Sequence, residues 1–331
     1  MPFLPTVFKN CGRFPWNAAI ASVLLACLAS ALLWQKSAFN PKGASIPQLA
    51  LLAQYGNKDA ARDLERLGPG AVPDLIKTLQ MQDNYLRILL WQQTNAPLAL
   101  RRALAKRIPP PNAVIYRESA ATALGRLGSN AIPAIEPLLQ ALADKQGIVS
   151  SSAATALAKI GPQSVPGLAE SLSHDDPRVR IAAMSALSRL RSDAAPAVPD
   201  LMKALRHSEP LVQDMAVEAL SCVGPPAIPA VAQAIRSEDP YTRDRAIKAL
   251  RLMGMPIKLP ALRAANAVTV NALASLLDDP DPDARFGALR LLNFLPSKAG
   301  AAEPRIHSLT NDPDPKVAEL ARSIARRTRP R

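Results

Sequence analysis

Residues 173–180 read SHDDPRVR and set an imidazole, two carboxylates and two guanidiniums side by side. His174 next to Asp175 and Asp176 is a donor set that a metal ion would use, or a general base with its orienting acid. His207 follows one period later, in RHSEP at 206–210. Cys222 is a candidate nucleophile, but no histidine lies near it in sequence.

The equivalent stretches argue against chemistry. They read RSEDP (236–240), LDDPDP (277–282) and TNDPDP (310–315). What they share with SHDDP and RHSEP is an acid before a proline: Asp176, Glu209, Asp239, Asp281 and Asp314. An acid there meets the free N–H groups at the start of a helix and complements its dipole. Glutamate caps less well than aspartate, so Glu209 is expected to act mainly through charge. The histidine position is Ser237 in another turn, so the fold does not demand an imidazole. The stretch therefore reads as a capping turn.

Such turns belong to a repeat. AIP at 131–133, SVP at 164–166, AVP at 197–199 and AIP at 227–229 step by 33, 33 and 30 residues, and AVP at 71–73 joins the series. Each unit reads as two helices with a break between them. In 196–224, Val198, Leu201, Met202 and Leu205 share one helical face; Val212, Ala216, Ala219, Leu220 and Val223 share the next. Gly224 followed by Pro225 ends the unit, as Gly68-Pro69 and Gly161-Pro162 do: the glycine takes a positive φ and the proline cannot continue the helix.

The A-V-P-x-L openings and second helices such as DDPRVRIAAMSAL (175–187) resemble the HEAT repeat family, in the short form also seen in bilin-lyase-type proteins. The resemblance covers about residues 56–328. It implies an all-α, right-handed α-solenoid of about seven helix pairs over residues 46–328, with a half-unit at 46–67. It also implies work as a scaffold or adaptor that binds a protein partner. Three departures stand out. An insertion at 81–114 splits the first full pair; MPIKLPALR (255–263) lengthens a later linker; Pro137 should kink a first helix. The end, KVAELARSIARRTRPR, reads as a basic cap, with 329–331 as its tail.

Ahead of the repeats, residues 1–17 form a basic leader, 18–34 an uncharged apolar run between Trp16 and Trp34, and 35–45 a linker. As a helix the run spans about 27 Å, the thickness of a bilayer core, and indole rings favour its interfaces. It reads as a transmembrane anchor of a bacterial inner-membrane protein, with the solenoid on the non-cytoplasmic side. Two other readings are a signal peptide cleaved near Ala29-Ser30-Ala31 and a lipobox at LLAC (24–27), which would make the chain secreted or a lipoprotein.

Composition narrows the function. Hydrophobic residues make up 48% of the 331 and aromatics 4%. The net charge is +13, yet residues 119–315 carry twenty basic and twenty acidic groups. A nucleic-acid-binding protein would need a row of cations and stacking rings, so nucleic acid is not the expected partner. No His-Glu dipeptide occurs, as metal-dependent HEAT enzymes of the deoxyhypusine hydroxylase kind would carry. The chain reads as non-catalytic, with no catalytic, metal or cofactor-binding residues assigned; a bilin-lyase-like enzyme is the alternative, and a HEAT-like nucleic-acid binder the second.

The exposed second-helix positions give a candidate partner-binding face on the concave side. It comprises Arg178, Ile181, Ser185, Arg189, Leu211, Asp214, Glu218, Tyr241, Asp244, Lys248 and Arg251, with Cys222 beside them. In the insertion, APLALRRALAKRI (96–108) sets Arg102 and Lys106 opposite Leu100, Leu104 and Ile108, a candidate contact with anionic headgroups. Arg180, Arg243 and Arg285 recur at one place in the second helix. They read as a ladder of ion pairs with neighbouring acidic turns, interrupted at Gln213, or as an anion-binding row.

Overall fold

The computed structural model describes residues 45–82, 113–254, 265–295 and 302–328. The apolar run 18–34, the 255–263 linker and nearly all of the insertion, with Arg102 and Lys106, lie outside the described residues. Among the described residues every regular element is helical, and no single helix is long and apolar enough to cross a membrane.

Residues 46–67, read from the sequence as a half-unit, form two helices, α1 (Ile46–Gln54) and α2 (Lys58–Leu67). Seven pairs follow. They are α3 (Val72–Leu79) with α4 (Ala113–Leu127), α5 (Ile135–Ala141) with α6 (Gly147–Ile160), and α7 (Val165–Ser171) with α8 (Pro177–Leu190). Then come α9 (Val198–Ala204) with α10 (Pro210–Val223), α11 (Ile228–Ile235) with α12 (Pro240–Met253), α13 (Ala267–Ser275) with α14 (Pro282–Leu292), and α15 (Glu303–Ser308) with α16 (Pro315–Thr328). The second helices stack in order from α4 to α16, and α1 packs on α4 at the near end of that row. The two halves of the split pair, α3 and α4, pack together despite the insertion between them.

The repeat works because each unit buries one stripe from each helix. Leu187, Leu220 and Leu250, ten residues after Pro177, Pro210 and Pro240, are all fully buried. Each contributes about 1.5–3 kcal/mol by leaving water. Alanines fill the facing positions: Ala183, Ala216 and Ala246 are also fully buried and let the helices approach. Gly125 of α4 marks the tightest approach to another helix's backbone, since a Cβ there would lie 2.9 Å from Ala156 Cα on α6.

Between units the chain passes through a 3-10 turn before each of the first helices α3, α5, α7, α9 and α11. This delays the start of α5 to Ile135 and overturns one expectation: Pro137 is the third residue of the helix, where its missing N–H has no intrahelical acceptor to lose, so it causes no kink. Gly68, Gly128, Gly161 and Gly224 take a positive φ at these stops, while Gly254 ends α12 at φ −75°. Arg191 occupies the same stop after α8 with φ 55°, a region that costs a side chain about 1–2 kcal/mol.

Gly125→Val should lower stability by about 2 kcal/mol, because Ala156 backbone cannot yield as a side chain would. Gly70→Ala, where a Cβ meets nothing within 4 Å, is the control. Urea denaturation of both variants checks this.

Candidate functional site

The chemistry-bearing residues converge on the turns inside each pair, and there they are spent on structure. The acid before the proline caps the second helix. Asp176 accepts from the Arg178 N–H at 2.9 Å, Asp281 from the Asp283 N–H at 2.8 Å, and Asp314 from Lys316 and Val317 at 2.9 and 3.1 Å. Asp239 accepts from the Tyr241 and Thr242 N–H groups and from the Thr242 hydroxyl. Glu209 makes no cap hydrogen bond, as its length led us to expect.

A second device, two residues earlier, was not read from the sequence. His174 Nδ1 accepts from the Asp176 N–H at 3.0 Å, and His207 Nδ1 from the Glu209 N–H at 3.1 Å. Asp144, Ser237, Asp279 and Asp312 do the same for Gln146, Asp239, Asp281 and Asp314. The imidazole is one of three side-chain types serving as a turn acceptor. Among the described residues no group of three His, Cys, Asp or Glu side chains is placed to hold a metal ion.

The third device links repeats. Arg285 of α14 donates to the Asp279 and Pro280 carbonyls of its own turn, and bidentately to Asp312 of the next, at 2.7 and 2.8 Å. The Arg285 and Asp312 side chains are only 11% and 3% exposed, so removing either partner costs far more than breaking a surface pair. The bonded guanidinium holds the Asp312 carboxyl below the usual carboxylate range, against the opposing push of burial. Arg117 of α4 makes the same rung to Asp144, and it also binds the Met81 carbonyl. Sequence reading missed this rung, although Arg117 to Asp144 and Arg285 to Asp312 share a separation of 27.

The rung from α8 is altered. Arg180 donates to the His174 and Asp175 carbonyls, but where a carboxylate would receive it stands His207. It turns to Glu209 with one bond at 2.6 Å, which leaves its buried Nε without a partner. Arg243 reaches only the Ser237 carbonyl. At α6 the position is Ser150, bonded to the Leu142 carbonyl at 2.9 Å. At α10 it is Gln213, whose amide donates to the His207 carbonyl while its oxygen accepts from Arg245. Of the recurring arginines, Arg180 and Arg285 pair with the next turn and form rungs of an interrupted ladder, while Arg243 does not.

The candidate partner face is cross-linked in part. Lys248 pairs with Asp214 at 2.7 Å, Arg251 with Asp283 at 3.7 Å, and Arg178 with Asp176 at 2.7 Å. Cys222 donates to Glu218 at 3.3 Å. Ile181 and Ser185 are half-buried. Leu211 and Tyr241, 58% and 73% exposed, stand at equivalent places on adjacent helices, and Arg189 and Asp244 are exposed without an ion-pair partner among the described residues.

Residues 135–199 and 198–271 match the family model for HEAT repeats, and 116–144 match that for PBS lyase HEAT-like repeats. Residues 116–271 are thus similar to HEAT repeats. The matches run from α4 to α13 and include the turns at Asp176, Glu209 and Asp239; the Arg285–Asp312 rung lies beyond them. The archaeal HEAT-like repeats protein from Thermococcus onnurineus NA1 is 16% identical over 70% of this chain and 100% of its own, with a TM-score of 0.37. An engineered protein is 19% identical over 92% and 94%, with a TM-score of 0.34, and a designed armadillo repeat protein 17% identical over 78% and 100%, with a TM-score of 0.29. No curated protein matches this chain.

Two outcomes follow for the HEAT turns. His207→Asp gives Arg180 a bidentate carboxylate and keeps the turn acceptor, so it should raise stability by about 1 kcal/mol in urea denaturation. Asp312 has a folded pKa below its unfolded one, so its contribution is complete above about pH 4 and lost as pH falls through the folded value. Melting curves from neutral to acid pH should therefore show a shallower acid-side loss in Asp312→Asn than in the wild type, where equal slopes would contradict the assignment.

Proposed function

We propose that this chain is a membrane-tethered HEAT-repeat scaffold that binds a protein partner through its second-helix face and performs no catalysis. One observation carries the reading. The groups able to do chemistry are engaged in caps and rungs, while Leu211 and Tyr241 stand open to solvent on adjacent helices. Exposed large apolar side chains at equivalent places on adjacent repeats suit a partner's contact better than a reaction. The binding face is the set from Arg178 to Arg251 given above, with Arg189 and Asp244 as its unspent charges.

The tether is the apolar run 18–34 between its two tryptophans, and Arg102 and Lys106 of the insertion add contact with anionic headgroups. The short basic leader stays inside, which places the solenoid on the non-cytoplasmic side of a bacterial inner membrane.

Photo-cross-linking in native membranes tests the proposal. A cross-linker at Ser185, Leu211 or Lys248 should capture one and the same protein in the membrane fraction. A cross-linker at Gln233, exposed on the first-helix row, should not. Capture from Gln233 alone, or a chain that sediments away from membranes, would refute it.

A further inference from the structure

The ladder has a gap at α10 where both ends of the rung are changed. Gln213 stands where α4, α8, α12 and α14 carry an arginine, and Ser237 stands where the turns before α14 and α16 carry Asp279 and Asp312. An open pocket of about 600 Å³ lies between the turns at 206–210 and 237–241. Gln213 and Ser237 both line it, as do Arg206, Asp239, Tyr241 and Arg245.

The lining is a receptor for an anion. The Arg206 side chain is exposed and makes no hydrogen bond or ion pair among the described residues, its charge acting on Asp239 from a distance. Arg245 lies over the Tyr241 ring, 5.9 Å from its centroid, and gives bonds only to the Tyr241 carbonyl and to Gln213, so donors of its guanidinium fork remain. Asp239 is the one acid in the lining, and its carboxylate is committed to the α12 cap. Two guanidiniums against one committed carboxylate leave a positive excess. Tyr241 and, next to the lining Pro210, Leu211 extend the pocket's mouth with exposed apolar surface.

We infer that the interrupted rung is a docking slot for an extended acidic–apolar peptide segment of the partner, its carboxylate held between Arg206 and Arg245 and the adjoining apolar side chain on Leu211 and Tyr241. The ligand's carboxylate would supply the acid that Ser237 does not, so the partner completes the ladder. This rests on the scaffold reading and narrows it to one subsite.

The probe is a fluorescein-labelled nonapeptide alternating Glu and Leu, titrated by fluorescence anisotropy into the full chain in detergent micelles. Its Gln-for-Glu version is the control. Arg206→Ala combined with Arg245→Ala should weaken binding of the Glu peptide at least about tenfold, the worth of one charged hydrogen bond. The double variant Gln213→Arg, Ser237→Asp rebuilds the rung; it should melt higher than the wild type and lose the peptide. Gln233→Ala, exposed on the first-helix row and away from the pocket, should bind as the wild type does.

The slot is overturned by any of four results: no wild-type binding, equal binding of the Gln peptide, unchanged binding by the rung-rebuilt variant, or displacement by inorganic phosphate as readily as by unlabelled peptide. Cross-linking from Ser185 separates the two readings. If the rung-rebuilt variant still captures the same membrane protein, the scaffold stands and the slot falls; if the wild type captures nothing, the scaffold itself falls.

Discussion

A helix that starts in mid-chain exposes N–H groups with no partner, and a solenoid repeats that problem at every second helix. Here the answer is one corner used many times. A proline at the first helical position removes one donor, the acid before it accepts from the next, and a side chain two residues earlier takes the acid's own N–H. These bonds fix the corner's shape, so an arginine one turn into the helix lies within reach of its own turn's carbonyls and of the following corner. The rung ties neighbouring repeats at α4 and α14, while the leucine and alanine stripes mesh at α6, α10 and α12 without it.

The same device explains why an apparent active site is inert. Histidine, serine and aspartate all present an acceptor at the right distance from the backbone, so the position tolerates each. They differ toward the neighbour: aspartate also receives the arginine, which histidine cannot do. Arg180 shows the cost, diverted to Glu209 with a buried nitrogen unsatisfied. Variation at one turn position thus alters the bond between two repeats while leaving the turn intact.

The period, the helix pairs, the caps at Asp176, Asp239, Asp281 and Asp314, and the buried leucines were legible because each rests on local rules of spacing and side-chain length. The Arg117 rung was not, since the insertion removes Arg117 from the visible register even though its distance to Asp144 matches that of a recognised pair. The delayed start of α5, which spares Pro137, depends on a 3-10 turn whose length has no simple sequence mark. The Lys248–Asp214 pair joins residues 34 apart and emerges only when helices are stacked. Gln213 was visible as an exception, but a missing side chain gives no hint of the space it leaves until its neighbours are placed.

Rungs are also springs. Where Arg285 grips Asp312 by two short bonds, any tilt of α14 against the next unit must stretch charged contacts in a dry setting. Between α10 and α12 the corresponding tie is a neutral amide and an arginine from the wrong position. The array is therefore a rod of uneven stiffness: charged rungs cross from α4 and α14, while at α6 and α12 none reaches the following turn. Those levels without a rung are where one unit can tilt on the next without stretching a buried charged contact.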